Sequence, residues 1–186
     1  MLLRALITRM QSVTPLYNAL VAQSRQPVFY SHLGVADTVW GRLDVLYLHV
    51  FMALQGLDPE NPRDGRYIDG FFQHMFKRDI DNALREMGVG DLAVGHKIKK
   101  MAESYHGRAT QYRDALLAND DAALQEALAR NVLNANDDIA SVAPQAAHLA
   151  AYMQACLAQI SKTPREQILA GDIAWQTAVI EPPAAA

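Results

Sequence analysis

The chain has 186 residues, one cysteine and a formal net charge of -3. A single domain of that length hides about 70% of its unfolded surface, so a core can form without a disulfide framework or a structural metal. A lone thiol, Cys156, excludes an internal bridge and points to a reducing compartment, and a pI near 6.0 offers no global basic field for nucleic acid.

Up to Val35 the only charged side chains are Arg4, Arg9 and Arg25. Leu3, Leu6, Ile7, Met10, Val13, Tyr17, Leu20 and Val21 recur at helical spacing, and Pro15 can kink or divide that element. Such a basic amphipathic start suits a targeting segment, a membrane-surface helix or a first core helix. Val28-Phe29-Tyr30 is too short to assign as a strand.

Asp37 or Thr38 can cap a helix running to about Gln55, with Gly56 suited to its C′ position. Its stretch Leu43 to Leu54 is the most apolar of the chain, but it holds Asp44 and His49 and is too short to span a bilayer. A Pro-, Asp- and Asn-rich loop over 57–65 precedes a third helix over 66–87. Its expected buried stripe is Ile68, Phe71, Phe72, Met75, Phe76, Ile80, Leu84 and Met87, which as the densest aromatic run is expected to form the centre of the core.

At Gly88-Val89-Gly90-Asp91 the chain has a short hairpin joint. Gly88 suits the left-handed helix end and Asp91 the next N-cap. The fourth helix spans about 92–117, with Val94, Ile98, Met101, Tyr105, Ala109, Tyr112 and Leu116 inward. Gly107 inside it costs about 1 kcal/mol relative to Ala; a close backbone neighbour or an exposed position would each account for it. Helices are expected over 121–135 and 144–160, separated by the polar run 134–138, whose pattern selects no element. Thr163 and Glu166 form a capping-box pattern for a last short helix ending at Gly171, Ile173 and Trp175 fold back on the body, and 181–186 is a loose tail. The expected fold is therefore all-α: one bundle of about six to seven helices over 1–180.

The main charge feature is His96-Lys97-Ile98-Lys99-Lys100, where cations oppose the helix dipole. On a helical wheel Lys97, Lys100 and Arg108 fall together, bordered by Lys99 and His96, giving either a solvated face or a docking patch. The six histidines form no metal-ligand spacing, and no nucleophile elbow or phosphate loop is present, so no catalytic residue, metal or cofactor is expected. His49 reads as a hydrogen-bonded core histidine and Cys156 as a small core residue.

The string Met75-Phe76-Lys77-Arg78-Asp79-Ile80-Asp81-Asn82-Ala83-Leu84-Arg85-Glu86-Met87-Gly88-Val89-Gly90-Asp91 resembles the signature of the ubiquinol–cytochrome c chaperone family. The resemblance continues through Val94, Gly95, Lys97, Lys99-Lys100-Met101, Tyr105, Gly107-Arg108 and Tyr112. Upstream it includes Phe29-Tyr30, Leu33-Gly34-Val35, Asp37-Thr38, Gly41-Arg42 and His49, covering about 25–130.

This resemblance implies a helical, non-enzymatic assembly factor that binds newly made cytochrome b, or another membrane-protein client, and assists assembly of the cytochrome bc complex (respiratory complex III). It highlights Asp81, Arg85, Glu86, Asp91, Lys99, Lys100 and Arg108 as scaffold or client contacts, and Lys97, Lys100 and Arg108 are the expected docking patch. Mitochondrial members carry a presequence, act with a small partner protein and associate with the ribosome. The shorter amino end here leads us to expect a bacterial member in the cytoplasm, peripheral to the inner membrane through the first helix; a eukaryotic member would lie on the matrix side. Two other readings stay open: an RNA- or ribosome-associated adaptor using the basic face, and an enzyme with an unfamiliar helical site. No DNA partner is expected.

Overall fold

The structure, a computed structural model, describes residues 12–176, and among them the regular structure is entirely helical, with no strand. The expected role of positions 1–11 and the tail at 181–186 lie outside the described residues. Helix α1 (Thr14–Ser24) carries Pro15 in its first turn, where a missing N–H costs nothing, so the proline opens the described helix and does not kink it. The segment left unassigned at Val28 becomes the one-turn helix α2 (Val28–Ser31).

Helix α3 (Val39–Leu54) is capped by Thr38, whose Oγ1 accepts from the Gly41 N–H at 3.1 Å. Twelve of its residues are buried, among them every position from Asp44 to Leu54. A helix apolar on all sides must be surrounded, and α3 occupies the centre of the bundle, the place expected for the aromatic third helix. No described helix is long and apolar enough to cross a membrane. Gly56 does follow α3, but without a positive φ. A Cβ there would lie 2.3 Å from Ile168 Cδ1, so close packing, not a left-handed cap, requires glycine.

The third rod starts earlier than expected. Asn61 caps α4 (Pro62–His74) by accepting from the Arg63 N–H at 2.9 Å, which shortens the preceding loop. The rod then passes through a π-helical segment, Met75–Ile80, into α5 (Asp81–Glu86). Phe71, Met75, Phe76, Ile80 and Leu84 are buried as expected and Ile68 and Phe72 are half-buried, but Met87 is 52% exposed.

Gly88 takes φ +85° and turns the chain into α6 (Asp91–Ala118). Gly90, not Asp91, occupies the N-cap. Asp91 lies in the first turn, where its charge suits the positive helix end. Helices α7 (Asp121–Asn131) and α8 (Ala143–Ile160) pack on each other, α7 also on α6 and α8 also on α3. The last helix, α9 (Arg165–Ala170), starts after Pro164 without the expected capping box. Thr163 Oγ1 instead donates back to the Gln159 carbonyl at 3.0 Å, and Arg165 bonds the buried Asp64 of α4. Gly171 ends α9 at φ +77°, as expected.

Ile173 and Trp175 fold back onto the core, the Trp175 ring lying 5.0 Å from that of His49. His49 is fully buried, with Nδ1 2.8 Å from the Val45 carbonyl and Nε2 2.8 Å from the Tyr152 hydroxyl. A carbonyl only accepts, so Nδ1 holds the proton and Nε2 accepts from tyrosine. Cys156 is buried, and desolvation pushes its thiol above the usual range.

Candidate functional site

Three helices leave an apolar groove of about 540 Å³ between them. Helix α1 contributes Tyr17, Asn18, Val21, Ser24 and Arg25, a single stripe at i, i+1, i+4, i+7 and i+8. The start of α3 contributes Val39, Trp40, Arg42, Leu43 and Leu46. The third wall is Asp79, Ile80, Ala83, Leu84 and Met87, again at helical spacing, with Met101 of α6 completing it.

Among the described residues five large apolar side chains are exposed: Leu92 and Leu117 stand on α6 outside this groove, and three others stand together, Val39 at 59%, Trp40 at 50% and Met87 at 52%. All three line this one groove. A contiguous apolar surface rimmed by charge is the usual mark of a protein–protein contact. None of the three was singled out from the sequence as a contact, and Met87 was expected in the core. The available signal was Met87 itself: an apolar stripe that runs up to a joint has no following turn to cover its last member.

Arg25, Arg42 and Asp79 are the charged residues of the lining. Arg42 bonds Asp37 at 2.7 Å and lies over the Tyr30 ring at 5.8 Å. Asp79 lies 3.4 Å from His74 Nε2, a pairing five residues apart that follows the π-helical repeat. Burial, with the nearby Asp79 carboxylate, pushes the Tyr17 phenol above its ordinary range.

The residues highlighted from the sequence divide into three groups. Arg85 bridges the joint, pairing with Asp81 on its own helix and with Asp91 of α6. Glu86 beside it is exposed and enters no ion pair among the described residues. On α6, Lys97 and Lys100 are exposed, and Lys99 lies 3.8 Å from Glu103.

Arg108 does not join them. Its side chain is 19% exposed and donates to Asp44, whose own side chain is 8% exposed, while Asn134 donates to the other carboxylate oxygen at 3.2 Å. The expected three-residue patch is therefore two lysines, with Arg108 holding α6 to the central helix. The same contact explains the polar run after α7: Asn134 takes φ +55° to reach Asp44, and Asp138 accepts from the Ser141 N–H at the start of a 3-10 turn. Among the described residues no group of three or more potential ligands could hold a metal ion.

The described residues form an all-helical bundle with an apolar, helix-walled groove on its surface. The chain belongs to the ubiquinol-cytochrome C chaperone family, whose model matches residues 31–175. That match extends well beyond the 25–130 region over which the sequence resemblance was apparent, through α8 and α9 to Trp175. The crystal structure of the Cbp3 homolog from Brucella abortus is similar, with 35% identity, a TM-score of 0.80, and coverage of 96% of this chain and 98% of that one. No functionally curated protein matches the sequence.

Proposed function

We propose that this chaperone binds newly made cytochrome b, without catalysing a reaction, and holds one of its membrane-inserting segments in the groove during assembly of the cytochrome bc complex. The observation that carries this reading is the convergence of Val39, Trp40 and Met87 on one open apolar surface. A nascent membrane segment is apolar and helical, and the groove offers three helical stripes for a fourth to lie against. The joint supports the wall: Arg85 fixes the α5–α6 turn beside Met87. Such work would be done at the inner face of the membrane that receives the client, and the 35% identity with the Brucella abortus homologue supports a bacterial setting.

A crosslinked pull-down from solubilised native membranes tests the reading. Cytochrome b is expected with the unmodified protein and lost with folded Trp40→Glu/Met87→Glu. A folded bait that captures no cytochrome b, from membranes whose bc complex is preserved, overturns it. Lys97→Glu/Lys100→Glu provides a second comparison, because those exposed lysines would steer encounter with an acidic surface. They also motivate the ribosome-adaptor reading, for which salt-sensitive RNA binding lost in that variant is the required result.

A further inference from the structure

We infer that the groove selects an apolar helical segment carrying a carboxylate, which Arg25 receives; this rests on the groove being the client site. The apolar walls fix the first half of that chemistry and the charges fix the second.

The groove's charged groups are unequally satisfied. Asp79 already faces His74 and the Tyr17 hydroxyl, and Arg42 already bonds Asp37 and lies over Tyr30. Arg25 is exposed at the end of α1 and has no carboxylate partner among the described residues. An apolar helix seated in the groove would cover Arg25 and remove water from the guanidinium.

A covered charge without a partner opposes binding, so an uncharged segment is disfavoured there. A carboxylate satisfies it with a charge-assisted, bidentate-capable contact. A basic group at the same point meets the like charge of Arg25.

The test uses the full chain and labelled Leu/Ala-rich peptides of about three helical turns. One bears a single Glu near an end, and its partners carry Gln or Lys at that position. Fluorescence anisotropy is expected to show the Glu peptide binding about tenfold more tightly than the Gln peptide, the usual scale of one charged hydrogen bond. Arg25→Gln should abolish that preference while keeping the fold by circular dichroism, and Arg25→Glu should move it toward the Lys peptide. Equal binding of Glu and Gln peptides, still sensitive to Trp40→Glu, overturns the carboxylate selection and leaves the groove reading intact. No peptide binding to the folded protein, or binding indifferent to Trp40→Glu, overturns both.

Discussion

Arg108 of α6 donates to Asp44 of α3, joining two helices across 64 positions of sequence at a carboxylate almost closed to solvent. Burial pushes the Asp44 carboxyl above its ordinary range, and Arg108 and Asn134 oppose that shift. The guanidinium also lies 5.6 Å from the Tyr47 ring centroid. Removing one partner leaves a buried charge, so Arg108→Ala is expected to cost about 3 kcal/mol in urea unfolding. Asp44→Ala/Arg108→Ala should cost less than the sum of the two single changes, and additivity would refute the coupling.

Buried His49 makes stability pH-dependent. Desolvation pushes its imidazole down to about 4, from the ordinary histidine value of 6.5. Between those values the unfolded chain binds more protons, so stability is lost as pH falls through that window, by about 3 kcal/mol from this residue. His49→Gln should flatten that part of the pH–stability curve, and the His49 ring signals in NMR should not titrate above pH 5. A midpoint near 6.5 would contradict the packing described.

Two helical glycines should respond oppositely to alanine. At Gly41 a Cβ would lie 2.0 Å from the Ala36 carbonyl oxygen, so Gly41→Ala should destabilise by about 1–3 kcal/mol. At Gly107 nothing lies within 4 Å, so Gly107→Ala should stabilise by up to about 1 kcal/mol through helix propensity. Thermal melts of the two variants decide both signs.

Groove substitutions should separate binding from folding. Trp40 and Met87 are already half exposed, so Trp40→Ala and Met87→Ala are each expected to shift stability by about 0.5 kcal/mol or less while reducing client capture. A large loss of stability would make them scaffold residues.

The helical frame was legible where local chemistry decides it: Thr38 before α3, the positive-φ Gly88 and the inward stripe of α6 all follow from near neighbours in the chain. The groove was not, because it consists of what neighbouring helices fail to cover. Met87 continues an apolar stripe faultlessly, and only the turn at Gly88 leaves it open. Arg108 shares a helical sector with Lys97, but a wheel contains no Asp44. The π-helical segment has no proline or glycine to announce it, so the pairing of His74 with Asp79 could not be anticipated.

The chain's two tryptophans stand in opposite surroundings: Trp40 on the open groove, Trp175 against the core histidine. Each can therefore serve as a separate optical reporter. In Trp175→Phe the remaining indole emits from a half-wet surface, and its spectrum should move to the blue when an apolar segment covers it. In Trp40→Phe the emission comes from beside His49 and follows the integrity of the interior as acid or denaturant is added. Occupancy and unfolding can thus be followed separately and without a dye, each by the one indole that its variant retains.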